Sequence, residues 1–319
     1  MMIISQKAAN LWTRGEALLF PSPLQDKRDL TGWQYLLLVG GSALVFSAIG
    51  FFVKPDGFIG FDWYYAFSRG QLEPYYPPWI VYLKWITWPG LIGLNCAGLF
   101  VALYQRRASL IVMTAAFLSL PLLWVLFLGQ IDGIVLLGLT GLPWLTPLAL
   151  LKPQISAFAF LANKRWFVVF ILWILFTMLI WGFWPLDMLN HDAHWEKIFG
   201  KEITAQPQNI SLWPWTIPVA LVMLWLSRGD MDMLMLAGTI VTPHLIPYSY
   251  IIVLPAIARV KQWLAVSLVA LTWLPFLANW LGPGAWQLGH LFPIILWFNL
   301  YLKRRALLRA SLSSTGKLV

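Results

Sequence analysis

Long apolar runs alternate with short polar, glycine-bearing or proline-bearing breaks from Gly32 to Leu302. The first clean run, Gly32–Phe52, is about as long as the ~20 residues a helix needs to cross a bilayer. Pro78–Tyr104, Ala108–Leu128, Trp166–Trp184, Leu212–Leu226, Gln262–Leu281 and Trp286–Leu302 are further candidate spans. Three stretches fit less cleanly. Ile131–Asn163 is too long for one helix and too short for two, and Pro143, Pro147 and Pro153 interrupt it. Met231–Val241 and Pro247–Ala258 are too short to cross fully, and Thr242-Pro-His-Leu-Ile-Pro-Tyr-Ser-Tyr250 lies between them. Non-helical backbone at membrane depth is tolerated only where protein buries it or where it lines a wet cavity. The pattern therefore predicts an all-α, polytopic membrane helix bundle of about ten segments, with short broken helices around a cavity.

Composition agrees with the pattern. Of the 319 residues, 60% are apolar and 11% charged, against about 25% charged in soluble domains. Mean hydropathy is +0.71. The 21 Trp suit membrane interfaces. A soluble enzyme, a nucleic-acid binder and a disordered chain are excluded. The single Cys96 can form no internal disulfide.

The net charge of +9 is a topology signal. With the N-terminus placed in the cytoplasm and the runs alternating, the inner connections hold Lys7, Arg14, Lys27, Arg28, Arg106, Arg107, Lys164, Arg165, Arg228, Arg259, Lys261, Lys303, Arg304, Arg305, Arg309 and Lys317. That is 16 of 22 basic residues; Lys54, Arg69, Lys84, Lys197 and Lys201 face outward, and Lys152 falls within a span. Eight of the 13 acids lie outside or near the outer boundary. The organisation expected is a cytoplasmic segment (residues 1–31), a transmembrane domain (32–302) with outer loops 53–77 and 185–211, and a cytoplasmic tail (303–319). Ala8–Phe20 is expected to lie along the inner membrane surface. The whole reads as a multi-pass plasma-membrane protein with both termini inside.

The outer loops carry the candidate chemistry. Asp62 sits among Trp63, Tyr64 and Tyr65, whose flat faces suit a sugar ring or the interface equally well. It is otherwise a loop carboxylate paired with Arg69 or a helix cap. Gln130 and Asp132 end a long apolar run, where a helix end meeting water and an N-cap are the plain alternatives. Lys152 falls within a span, where a Lys costs ~3 kcal/mol unless it snorkels. His191, Asp192, His194 and Glu196 read as solvated loop residues or weak metal ligands. Asn209-Ile-Ser211 formally matches a glycosylation acceptor. His244 serves equally as a core histidine or a ligand contact.

The order of these clusters looks familiar: Asp62, then Tyr75-Tyr-Pro-Pro78, Gly129-Gln130, Leu151-Lys152-Pro153-Gln154, Asn209-x-Ser211 and Thr242-Pro-His-x-x-Pro-Tyr248. It resembles the polyprenyl-phosphate-sugar-dependent glycosyltransferases of the GT-C fold, most closely glycosyltransferase family 87, the alpha-mannosyltransferase-like membrane proteins. The resemblance spans roughly Gly32 to Ala258. It departs where Ile131-Asp132 follows Gly-Gln in place of Asn, and where His244 comes early in the late motif.

The resemblance implies a membrane enzyme that moves a hexose or pentose, mannose-like, from a polyprenyl-phosphate donor to an acceptor glycan or glycolipid at the outer face. Asp62 is then the catalytic base. Arg69, Tyr75, Tyr76, Lys84, Gln130, Asp132, Lys152, Gln154, Asn209, His244 and Tyr248 are the donor- or substrate-binding candidates. A lipid-linked phosphate leaves readily, so one carboxylate suffices, unlike the paired acids of glycosidases, and transfer inverts the anomeric centre. No cofactor is required; a divalent cation between Asp62 and Asp132 is compatible with the residues but not demanded by them. The expected partners are the lipid-linked sugar, the acceptor and the bilayer, with no nucleic acid. A flippase or transporter of lipid-linked sugars is the alternative, although transporters place their polar sites at the midplane.

Overall fold

The computed structural model describes residues 15–16, 18–21, 27–69, 76–192 and 208–315. It is all-helical, with no strand among the described residues. The elements are α1 (Gly32–Phe52), α2 (Trp88–Gln105), α3 (Leu110–Phe117), α4 (Leu120–Leu128), α5 (Asp132–Thr140), α6 (Thr146–Ala149) and α7 (Pro153–Ser156). After these come α8 (Lys164–Trp181), α9 (Trp184–Asp192), α10 (Ile217–Leu226), α11 (Met231–Val241), α12 (Gln262–Leu271), α13 (Ala278–Leu281) and α14 (Leu291–Thr315). Short 3-10 helices join them. The expected helix Ala8–Phe20 lies mostly outside the described residues.

Three helical stretches are long and apolar enough to cross a membrane: Gly32–Phe52, Lys164–Trp181 and Gln262–Leu281. The number is five if each bent pair counts as one span. Their surfaces suit a bilayer, not water: Trp33, Leu44, Val45 and Phe52 on α1 and Leu179 on α8 stand exposed. Apolar patches of that extent mark a lipid or protein contact.

The α1 boundaries coincide with the apolar run, because Thr31 and Gln34 form a reciprocal capping box at its start. The run Pro78–Tyr104 is not one span. It breaks into a 3-10 helix, Pro78–Trp85, and α2, bent by 117°. Thr87 caps α2 through the Gly90 N–H, and Pro89 occupies its first turn, so the chain starts a new helix there. The run Ala108–Leu128 divides likewise into α3 and α4, bent by 45° where Ser119 caps α4. Beyond α11 the chain turns at Thr242 and continues as two 3-10 helices, Pro247–Ile252 and Leu254–Arg259, each with proline in its first turn.

α1 and α2 are antiparallel. The Arg28 N–H donates to Gln105 O at one end (2.8 Å), and Gly50 packs on Pro89 at the other. α2 crosses α5 in backbone contact: a Cβ on Gly98 would overlap Gly133, and one on Gly133 would overlap Asn95. Small residues permit such close approach between membrane helices. That crossing sets where Gln130 and Asp132 stand.

Candidate active site

Asp62 follows the loop after α1 and directly precedes a π-helical turn, Trp63–Phe67, closed by the Ser68 N–H donating to Trp63 O (2.8 Å). Such turns recur at functional sites. Asp62 makes no capping hydrogen bond and no ion pair with Arg69. The Arg69 guanidinium instead lies over the rings of Tyr64 and Tyr65, 4.8 and 5.4 Å from their centroids. Neither plain alternative for Asp62 describes this geometry.

The partner of Asp62 is Gln130, whose Nε2 donates to Asp62 Oδ2 at 2.6 Å. Gln130 is buried, so it is not a helix end meeting water. Gly129, at φ +75°, closes α4, and its missing side chain leaves room for Trp63 and Trp88. Gln130 Oε1 accepts from Lys152 Nζ (2.8 Å) and from Tyr76 OH (3.1 Å). Two donors on that oxygen force the amide nitrogen toward Asp62. Lys152 in turn donates to Asp132 Oδ2 at 2.7 Å, and its ammonium lies 4.6 Å over the Tyr248 ring. With only 6% of Lys152 exposed, it does not snorkel to an interface. Asp132 Oδ1 is buried with no hydrogen-bond partner among the described residues.

The result is a chain of four side chains, Asp62–Gln130–Lys152–Asp132, that runs from a half-buried carboxylate into the core. Asn95 of α2 holds it from behind: its Nδ2 donates to Gln130 O (2.6 Å) and its Oδ1 accepts the Gly133 N–H (2.8 Å). Asn95 was not among the residues singled out from the sequence. Its signal, one carboxamide within an apolar run, is slight. Burial raises the Asp62 carboxyl above the ordinary carboxylate value, opposed by the Gln130 hydrogen bond and the Lys152 charge.

The remaining candidates divide by position. Tyr76 and Tyr248 belong to the chain through Gln130 and Lys152. Gln154 is half-buried in the first turn of α7. Lys84 is exposed and lies over Trp85; among the described residues it makes no hydrogen bond or ion pair with the cluster. Asn209 is buried, and its Oδ1 accepts the Ser211 and Leu245 N–H groups (3.1 and 3.0 Å). It therefore ties two loops together and is no glycosylation acceptor. His244, half-buried, precedes Leu245 in that tie. Tyr75, His194 and Glu196 lie outside the described residues, as do the side chains of His191 and Asp192. No group of three or more His, Cys, Asp or Glu gathers as metal ligands among the described residues.

A second polar cluster occupies the opposite ends of these helices. Arg106 pairs with Asp232, and Arg259 spans Asp230 (2.7 Å) and Asp232 (3.2 Å). Asp230 also caps α11 through the Met233 N–H. The network binds the ends of α2, α11 and Leu254–Arg259 together.

Helices fit for a membrane, together with a buried carboxylate–amide–ammonium chain, define the class only as an all-helical, membrane-compatible protein with an internal polar site. The chain matches no protein-family model, no curated protein and no solved structure.

Proposed function

We propose that the protein is a membrane glycosyltransferase of the GT-C type, moving a hexose or pentose from a polyprenyl phosphate to an acceptor glycan or glycolipid at the outer face. The observation that carries this reading is the state of Asp62. One carboxylate oxygen is anchored by Gln130, and the other accepts no hydrogen bond among the described residues. The anchored oxygen fixes the group, and the free one is available to a substrate hydroxyl.

In the proposed reaction the acceptor hydroxyl gives its proton to the free oxygen of Asp62 as its own oxygen attacks the anomeric carbon. The bond from that carbon to the phosphate oxygen breaks, and the phosphate departs with the electron pair, inverting the centre. The raised pKa of Asp62 improves it as a base. Lys152, held by Asp132 and Gln130, acts as a positioning residue. Arg69 is exposed beside Asp62 on the Tyr64–Tyr65 pair and is the cation suited to the departing phosphate. The same tyrosines and Trp63 offer faces on which a sugar can stack.

The interrupted helices at α11 and Pro247–Arg259 favour the second reading, a transporter of lipid-linked sugars. Protein reconstituted in vesicles with labelled polyprenyl-phosphate sugar and candidate acceptors separates the two. Label appearing on an acceptor supports the enzyme. Label that crosses the bilayer still on its lipid, with none transferred, refutes it.

A further inference from the structure

A cavity of about 410 Å³ opens where the start of α1 meets the end of α2, at the end of the molecule away from Asp62. Arg28 and Arg107 both line it. The Arg28 guanidinium lies 4.3 Å over the Tyr104 ring and its backbone N–H is bonded to Gln105 O, so its position is set from two sides. Gln34 also lines the cavity; its Oε1 accepts the Thr31 N–H, which leaves its amide N–H₂ to donate.

Arg107 adds an independent observation. Among the described residues it is the one non-glycine with a left-handed backbone, at φ +57°. Its N–H donates to Tyr104 O and the Ala108 N–H to Leu103 O, both at 3.1 Å, the closing pattern in which glycine is usual. An arginine is disfavoured there. Strain kept where a simpler residue would relieve it points to a use for the side chain.

The walls say what kind of molecule fits. Leu30 and Leu38 line the cavity, and the neighbouring surface of α1 and α3 is apolar and exposed at Trp33, Leu36, Leu37, Leu110 and Ile111. Asp29 offsets one of the two guanidinium charges, leaving a net single positive charge. That balance matches a phosphodiester, which carries one negative charge, better than a phosphomonoester with nearly two. Guanidinium groups bind phosphate oxygens through paired N–H donors.

We propose that this cavity holds the phosphodiester headgroup of a membrane phospholipid, with Arg28 and Arg107 on the phosphate and the acyl chains along the exposed face of α1. The site is separate from the Asp62 chain, and the inference does not rest on the transferase reading.

Native mass spectrometry of the full chain in detergent tests it, with phosphatidylglycerol, uncharged diacylglycerol and the soluble diester glycerophosphoglycerol as probes. The expected result is retention of phosphatidylglycerol alone, weakened about tenfold by Arg28→Gln or by Arg107→Gly. Arg107→Gly suits the left-handed backbone, so it should melt no lower than the intact protein, and lost binding cannot then be misfolding. Lys261→Gln, an exposed charge elsewhere at the same end, should leave retention unchanged. Unchanged retention in Arg107→Gly overturns the proposal. So does an equal loss in Lys261→Gln, which would mean general surface charge, and so does equal binding of glycerophosphoglycerol, which would mean a soluble-anion site.

Discussion

Lys152→Met removes the ammonium that holds both Gln130 Oε1 and Asp132 Oδ2. Asp132 is fully buried, and its other oxygen already lacks a hydrogen-bond partner among the described residues. The variant therefore leaves a buried carboxylate with no counter-charge, a loss of about 3–5 kcal/mol in comparable cases. Asp132→Asn alone strands the ammonium and should cost a similar amount. The pair Lys152→Met with Asp132→Asn has no unpaired charge and should recover most of the loss, so the cycle should show a coupling energy of about 3 kcal/mol. Equilibrium unfolding in mixed micelles, followed by tryptophan fluorescence, gives all four stabilities. The double variant should remain inactive in transfer, because Gln130 no longer has the Lys152 donor that turns its Nε2 toward Asp62. Additive losses, or a Lys152→Met cost below about 1 kcal/mol, would show that the buried pair is not what holds the chain of side chains together.

The charge network at the other end makes a pH prediction. Burial, then the nearby Arg106 and Arg259, lower Lys27 to about 7 against its ordinary 10.5. Between those values the folded protein binds fewer protons than the unfolded chain, so stability rises with pH from 7 upward and is lowest below 7. Melting temperature should climb between pH 6.5 and 9 in the intact protein and stay flat in Lys27→Met; the same climb in both would remove Lys27 as its source. Gly133→Ala places a methyl group against the Asn95 backbone and should cost about 1–3 kcal/mol by overpacking the α2–α5 crossing. A thermal melt within error of the intact protein would contradict that close approach. Arg107→Gly should stabilise by about 1 kcal/mol through relief of the left-handed backbone, read as a higher melting temperature in lipid-free detergent.

Much of the architecture is legible from local signals. α1 has an unbroken apolar run and its own capping box, and its ends fall where the run does. α11 lies between a capping Asp230 and the polar break at Thr242. Hydropathy fails where apolar residues run through a turn. Thr87 and Pro89 carry the local instruction to restart a helix, but Ile86 and Trp88 hide it from any average over a span. The site is less legible. Asp62 and Gln130 are 68 residues apart and Gln130 and Lys152 are 22 apart, so no local pattern joins them. What marks Lys152 is the cost of a lysine in an apolar stretch. Asp230, Asp232, Arg106 and Arg259 read along the chain as ordinary flanking charges, and only the packing of three separate elements turns them into a buried network.

The central claim is that Asp62 takes the acceptor proton. Asp62→Asn keeps the shape and one oxygen for Gln130 while abolishing the base. Single-turnover transfer from labelled polyprenyl-phosphate sugar should fall by about 10²–10⁴-fold in this variant. Its melting temperature should be maintained or raised, because at neutral pH a buried carboxylate with a raised pKa opposes folding through its charge. In the intact protein the rate should also fall as pH drops through the raised Asp62 value, and that limb should vanish in the variant. Transfer within threefold of the intact rate would contradict the account.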